Sequence, residues 1–157
     1  MQPYGPAVLR LVVGAVFVAH GAQKLFGLWG GGGLAGTAAF FTQLGITPAY
    51  SLAVAVAIVE FGGGLLLIAG ALTFFAALAL ALEMAVATWK VHLANGFFIN
   101  WALAPGQGHG YEFNLTLIGA LMALMLTGPG AFSIDGRRAR SAESEAYGRA
   151  RVLARKV

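Results

Sequence analysis

The chain lacks cysteine and has few charged or metal-binding residues. Of its 157 residues, none is cysteine, 10% are charged and three are histidine. The absence of cysteine excludes a disulfide, a CxxC redox pair, a thiolate nucleophile and cysteine ligation of an iron–sulfur cluster. Three histidines and six acidic residues also leave little from which to build a structural zinc site.

Apolar residues are abundant instead, at 59% of the chain. An ordinary soluble domain is about a quarter charged, so this chain has too little polar surface to cover a globule in water. Its length allows one domain. The composition therefore predicts an integral membrane protein.

Four apolar stretches predict an all-α, four-helix membrane bundle. They lie at about 7–26, 50–69, 72–93 and 112–127. A helix needs roughly 20 apolar residues to cross a bilayer, within a range of about 17–25, so the fourth stretch is short. Only Gly70 and Thr73 separate the second stretch from the third, which predicts a tight helical hairpin. We divide the chain into a membrane domain (1–135) and a basic tail (136–157).

Charge placement predicts the orientation of the bundle. Seven of the ten Lys and Arg residues follow Asp135, whereas loops 27–49 and 94–110 contain no Lys, Arg, Asp or Glu. Loops rich in Lys and Arg stay on the cytoplasmic side. We therefore expect both termini in the cytoplasm and both long loops outside.

Each of the two outward loops has a feature of its own. Residues 34–44 show helical spacing of apolar side chains, which predicts a short interfacial helix. Loop 94–110 either covers the outer mouth of the bundle or is a simple connection between helices. Gly31, Gly33 and Gly36 satisfy the G-x-G-x-x-G spacing, but a membrane helix rather than a strand precedes them, so we do not infer dinucleotide binding.

Polar side chains gather in the outer half of the predicted bundle. Ionisable groups inside a membrane are costly, so by default they face the interior, are paired and are functional candidates. We take eight residues as ligand-binding or proton-relay candidates: His20, Gln23, Lys24, Glu60, Glu83, Lys90, Glu112 and Asn114.

This cluster has a structural interpretation and a functional one. In the structural interpretation, Lys24 pairs with Glu60. Glu83 then pairs with Lys90, which lies seven residues further along the same helix face. In the functional interpretation, the cluster binds a polar headgroup such as a quinone ring, or conducts protons. Two weaker alternatives are a metal site from His20, Glu60, Glu83 and Glu112, and haem ligation by His20 and His92.

Three other features have simpler interpretations. Arg10 is expected to extend to the inner headgroups, as long basic side chains do near helix ends. Gly14, Gly119 and the run 62–64 are expected to let helices approach closely. The basic tail is interpreted as solvated and orienting, with contact to anionic lipid as the alternative. Nucleic acid is not an expected partner, because no folded domain presents these charges.

Several segments together resemble the DoxX family over roughly residues 7–135. The first helix carries the run from Arg10 through Gly14, Phe17, His20, Gly21, Gln23, Lys24, Leu25 and Phe26 to Gly27. Further segments are Gly36-Thr37-Ala38, Phe40-Phe41, Leu44-Gly45-Ile46, Glu60, Gly62-Gly63-Gly64-Leu65, Glu112-Phe113-Asn114-Leu115, Gly128-Pro129-Gly130 and Phe132-Ser133-Ile134-Asp135.

The resemblance implies a small multi-pass protein of the bacterial inner membrane. DoxX-like proteins are similar to a subunit of a membrane thiosulfate:quinone oxidoreductase, and some are linked to soluble redox proteins. We therefore expect an auxiliary or quinone-binding component of a redox-associated membrane complex. The alternatives are a subunit of a thiosulfate:quinone-type enzyme, or a small transporter or scaffold. Quinone is the cofactor candidate; redox proteins and a second copy of the chain are the partner candidates.

Overall fold

The computed structural model describes residues 4–154, which form six α-helices and no strand. The helices are α1 (Tyr4–Phe26), α2 (Gly33–Gln43), α3 (Ala49–Ala69), α4 (Thr73–Ala87), α5 (Glu112–Thr127) and α6 (Ile134–Ala154). A π turn (Thr88–His92) and a 3-10 turn (Leu93–Asn95) continue α4. The predicted all-α class is confirmed over this part of the chain. The helix predicted at 34–44 is α2, and its place at the membrane interface stays a prediction.

Three helical segments are long and apolar enough to cross a membrane: Tyr4–Phe26, Ala49–Ala69 and Thr73–Asn95. The chain is thus a multi-pass membrane protein. α5 matches the fourth predicted stretch, but its 16 residues extend only about 24 Å at 1.5 Å per residue. The hydrocarbon core is about 30 Å thick. The fourth crossing stays a prediction.

Large apolar side chains lie on the outside of the helix bundle, and smaller ones fill much of its centre. Fully buried positions include Ala53, Ala57 and Ala77, together with Leu80 and Leu121. Large side chains that remain exposed include Val8, Val12, Ile58, Leu65, Leu82 and Leu126. Lipid is as apolar as leucine, so close packing of small residues, rather than burial of large ones, holds such helices together.

α1 and α3 pack closely where two glycines face each other. A Cβ atom added to Gly14 would lie 2.8 Å from the carbonyl oxygen of Gly64, and one added to Gly64 would lie 2.7 Å from that of Gly14. Side chains at either position would push the helices apart. The predicted packing role is confirmed for Gly14 and Gly64, whereas a Cβ on Gly62 or Gly119 would meet nothing within 4 Å.

Arg10 connects three segments at the end of the bundle where α3 turns into α4, which we call the hairpin end. Its guanidinium donates to the carbonyl oxygens of Leu67 and Ile68 in α3, and to those of Pro129, Ala131 and Phe132 between α5 and α6. The side chain is 2% exposed. The expectation that Arg10 extends to lipid headgroups is wrong, because backbone carbonyls left unpaired at a helix end and in a linker surround it.

Asp135 fastens the first turn of α6 to the start of α4. Its carboxylate accepts hydrogen bonds from the backbone N–H of Leu72 and Thr73 and from the Thr73 hydroxyl, at 2.9–3.0 Å. Burial alone would raise the pKa of Asp135, but the bonds from Thr73 and Leu72, helped by Arg138, outweigh burial and hold it below its ordinary value. Asp135 thus caps a helix from another part of the chain.

The hairpin itself forms as predicted. Gly70 ends α3 in a left-handed conformation with φ +62°, which glycine adopts without strain. Its carbonyl oxygen accepts a hydrogen bond from the Asp135 N–H at 2.9 Å. The hairpin end is therefore held by Arg10 and Asp135 together.

Candidate functional site

A cavity of about 800 Å³ lies toward the end of the bundle opposite the hairpin, which we call the loop end. Residues of α1, α3, α4 and α5 line it together with α2 and the loop 96–111. Its apolar lining includes Phe17, Phe41, Val56, Met84, Phe113 and Leu117. The volume is in the range of small-molecule sites, which run from about 300 to 1,000 Å³.

Six of the eight candidate residues line this cavity: His20, Lys24, Glu60, Glu83, Lys90 and Asn114. They come from four helical segments that are far apart in sequence. The predicted convergence of polar groups is therefore present for these six. The structure adds His92 and His109 to the lining, so all three histidines of the chain contact one cavity.

Lys24 and Glu60 form an ion pair across the α1–α3 contact. The Lys24 Nζ atom lies 2.6 Å from Oε2 of Glu60, and the Glu60 residue is 3% exposed. The charged carboxylate is thus compensated where water is scarce, as buried charges require. The ammonium group has three donors, so hydrogen-bonding capacity remains for a ligand.

Glu83 brings a second carboxyl group to the same place. It lies within hydrogen-bonding reach of Glu60, and its buried Oε2 atom has no hydrogen-bond partner among the described residues. Such an atom is costly to leave unsatisfied. A ligand donor, or a proton shared with Glu60, would complete the hydrogen bonding.

The predicted Glu83–Lys90 pair does not form. Lys90 lies within the π turn Thr88–His92, where the wider helix changes its angular position relative to Glu83. Lys90 Nζ lies 4.1 Å from the centre of the Trp89 ring instead. This cation–π contact leaves Glu83 without the predicted counter-ion.

Gln23 and Glu112 lie outside the cavity lining. Gln23 packs against the turn after α1, where a Cβ on Gly31 would lie 2.8 Å from the Gln23 Cβ. Glu112 accepts a hydrogen bond from the Ile99 N–H at 3.0 Å, so it holds the loop 96–111. The sequence assigned both residues to the correct helices. Helical spacing does not show, however, which neighbouring turn each side chain contacts.

The loop 96–111 forms an ordered cover at the loop end. Backbone N–H groups of Gly110, Tyr111 and Glu112 donate to the carbonyls of Phe98, Gly96 and Phe97 respectively, at 2.9–3.1 Å. The amide of Asn100 donates to Ala104 and Gln107. Ile99, His109 and Gly110 of this loop line the cavity, which favours the interpretation of the segment as a cover over that of a simple connection.

Hydrogen bonds at the loop end determine which ring nitrogen of His92 and of His109 carries the proton when the ring is neutral. His109 Nδ1 accepts from the Asn100 N–H at 3.3 Å, so the neutral His109 ring carries its proton on Nε2. His92 Nδ1 lies 2.9 Å from the His109 carbonyl oxygen, which can only accept, so the neutral His92 ring has its proton on Nδ1. The neutral His109 ring therefore keeps an Nε2 donor, and the neutral His92 ring keeps an Nε2 acceptor.

Metal-binding side chains do not converge in the described part of the chain. No group of three His, Asp or Glu side chains that could hold a metal ion occurs there. The alternative metal set is incomplete because Glu112 bonds the loop instead. His92, half of the alternative haem pair, has its Nδ1 engaged by His109.

Comparison with known proteins places the chain among bacterial membrane proteins. The family model described as DoxX matches residues 5–93, which span α1 to the π turn after α4. The inner membrane protein YqjF of Escherichia coli is 31% identical over 136 residues, covering 86% of this chain and 92% of that protein.

Two further relatives extend the likeness to other bacteria. The uncharacterized membrane protein Rv3486 of Mycobacterium tuberculosis is 32% identical, covering 85% of this chain and 81% of its own length. An uncharacterized protein of Haemophilus influenzae is 29% identical, and the match covers 87% of this chain and 92% of that protein. No solved structure matches the chain.

Proposed function

Since the chain belongs to the DoxX family and is a multi-pass protein of the bacterial inner membrane, we propose that it binds a quinone-like amphiphile in the cavity. In this proposal it is an auxiliary component of a redox-associated membrane complex. The observation that carries it is the combination of a large apolar cavity with an ion pair and an unpartnered carboxyl oxygen inside a lipid-facing bundle.

The proposal includes four crossings with both termini in the cytoplasm. α5 would complete the bundle with help from the polar segments at its two ends. The arginines of α6 then lie on the cytoplasmic side, in keeping with the bias of basic residues toward that side. Exposed Trp29, Tyr50, Trp89 and Trp101 are suited to the opposite interface, where the ring meets lipid and the polar edge meets water.

The lining matches the chemistry of a quinone in two respects. Aromatic and aliphatic walls suit the flat ring and the start of an isoprenoid tail. Lys24 keeps N–H donors beyond the one used by Glu60, and these suit a carbonyl oxygen, which only accepts. His20, also in the lining, adds a group that can donate or accept.

The proposed role is binding and proton handling rather than electron transfer by the chain itself. Lys, His and Glu side chains hold and move protons, whereas no cysteine is present to exchange electrons. A bound quinone would supply redox chemistry, and a partner redox protein would supply or remove its electrons. The residues of this chain would orient the headgroup and exclude water.

The test is mass spectrometry of lipid-soluble molecules that co-purify with the protein. Glu83→Gln removes the ionisable group while keeping its shape, and Gly36→Leu fills the cavity, where a Cβ on Gly36 would meet nothing within 4 Å. The matched control is Gly119→Leu, a helical glycine with equally open space that is not part of the cavity lining. We expect a quinone-class ligand to be retained by the native protein and the control and lost from Gly36→Leu. Equal content in all variants, or no such ligand, would contradict the proposal.

A further inference from the structure

α6 has an arginine-rich face that contains no acidic residue. Arg137, Arg140, Ser144, Tyr147 and Arg151 are spaced alternately three and four residues apart, which places them on one side of a helix with 3.6 residues per turn. All five are exposed. We call this set the arginine face.

The acidic residues of α6 lie elsewhere on its surface. Asp135, Glu143 and Glu145 fall outside the arginine face on the helical wheel, and Glu145 contacts Arg149 at 3.5 Å. The two remaining arginines, Arg138 and Arg149, lie opposite the arginine face together with Asp135 and Glu145, and these four charges cancel. Glu143 borders the face next to Tyr147, so the half of α6 that carries the face has three positive charges and one negative charge.

The first turn of α6 is fixed at the hairpin end of the membrane bundle. Asp135 bonds the start of α4, and Arg10 holds the linker just before α6. Four exposed aromatic residues mark this end. The rings of Tyr4 and Phe132 lie 6.0 Å apart, and Phe74 and Phe75 are in the first turn of α4. Arg137 follows Asp135 by two residues, so the arginine face begins within one helical turn of this anchored end.

We infer that the arginine face binds anionic phospholipid headgroups of the adjacent leaflet. Guanidinium groups match phosphate geometry, and basic residues near a membrane surface each strengthen binding to anionic lipid about fivefold. Tyr147 suits the same interface, because its ring is apolar and its hydroxyl polar. This inference concerns a surface distant from the cavity and stands whether or not the cavity binds a quinone.

The absence of cysteine permits a direct test with single introduced cysteines. Ser144→Cys places a thiol on the arginine face, and Ala142→Cys places one on the opposite side of α6. Each full-length protein is inserted in nanodiscs of phosphatidylcholine alone or with phosphatidylglycerol, and reaction with an uncharged water-soluble maleimide is timed. We expect Ser144→Cys to react at least fivefold more slowly in the anionic nanodiscs, with Ala142→Cys unchanged.

Two pairs of substitutions with the same loss of charge distinguish the face from net charge. Arg137→Gln with Arg140→Gln should abolish the protection of the introduced cysteine, whereas Arg138→Gln with Arg149→Gln should leave it. Thermal unfolding of each variant checks that the bundle is intact. Equal rates in the two lipids, equal protection of both thiols, or equal effects of the two pairs would overturn the inference. Protection in neutral nanodiscs that appears only with added DNA would assign the face to nucleic acid instead.

Discussion

The ammonium group of Lys24 in α1 lies 2.6 Å from the Glu60 carboxylate in α3, across the contact between these two helices. The pair compensates a buried negative charge and also forms part of the cavity wall. A structural role and a ligand-binding role therefore coincide in the same two side chains, and variants must be chosen to separate them.

Removing only the lysine should be more harmful than removing both charges. Lys24→Met leaves Glu60 buried without its partner, and we expect a loss of about 3–5 kcal/mol in unfolding free energy. Lys24→Met combined with Glu60→Leu should regain most of it, because no buried charge remains. Thermal unfolding in detergent measures both. If Lys24→Met alone were as stable as the native protein, the pair would not be compensating a buried charge.

The double variant Lys24→Met with Glu60→Leu also tests whether the ion pair takes part in ligand binding. It should fold and yet lose the lipid-soluble ligand that the cavity is proposed to bind, because Lys24 no longer supplies a donor. Retention of that ligand by a stable double variant would mean that the ion pair acts only in helix packing.

Arg10 should be among the most sensitive positions in the chain. Arg10→Met leaves five backbone carbonyls without their donor, and we expect at least about 3 kcal/mol of destabilisation. Arg10→Lys should recover only part of this, since one ammonium cannot span the separate carbonyls that the planar guanidinium reaches. Thermal unfolding compares both with the exposed Arg137→Gln, which should match the native protein. Equal stability of Arg10→Met and Arg137→Gln would contradict the structural role.

A single methyl group should distinguish two neighbouring glycines of α3. Gly64→Ala places a Cβ 2.7 Å from the Gly14 carbonyl oxygen, so α1 and α3 must separate and stability should fall by several kcal/mol. Gly62→Ala meets open space and should gain up to about 1 kcal/mol from helix propensity. The unfolding temperatures of the two purified variants provide the comparison. Similar temperatures would show that the glycine contact is not tight.

Asp135 should make stability depend on acidic pH. Its pKa is lowered in the folded protein, so the ionised form stabilises the fold at pH values above its unfolded pKa of about 3.9. That contribution is lost as pH falls through the lower, folded-state pKa. The gap in unfolding temperature between the native protein and Asp135→Asn should be constant from pH 5 to 7 and shrink below about pH 4. A gap independent of pH would show that the cap does not need the charge.

The length of the apolar stretches predicted most of the helices, because an apolar segment that crosses a bilayer must satisfy its backbone hydrogen bonds internally as a helix. The stretch 112–127 coincides with α5, and 50–69 misses only the first residue of α3. Polar clustering also predicted the Lys24–Glu60 contact, because few other groups could neutralise a buried carboxylate. The division of the chain at 135/136 stays a prediction, and α6 begins just before that point.

Contacts with the backbone could not be predicted in the same way. Arg10 bonds only carbonyl groups, which every residue possesses, so no sequence pattern distinguishes its partners. The π turn displaces Lys90 by a local change in helix geometry that apolar spacing does not encode. His109 had no helical context, and its place at the cavity depends on how the loop 96–111 folds back.

The bonds of Arg10 also affect the order in which the protein can assemble. Arg10 is made near the start of synthesis, whereas Pro129, Ala131 and Phe132 emerge about 120 residues later. Until then α1 carries a cation that has only two of its five final partners, Leu67 and Ile68, and such a charge is unfavourable in lipid. A chain that stops before the α5–α6 linker would never supply the other three. Arg10 thus links the stability of the first helix to synthesis of the linker after α5, so an unfinished copy differs from a finished one at its first helix.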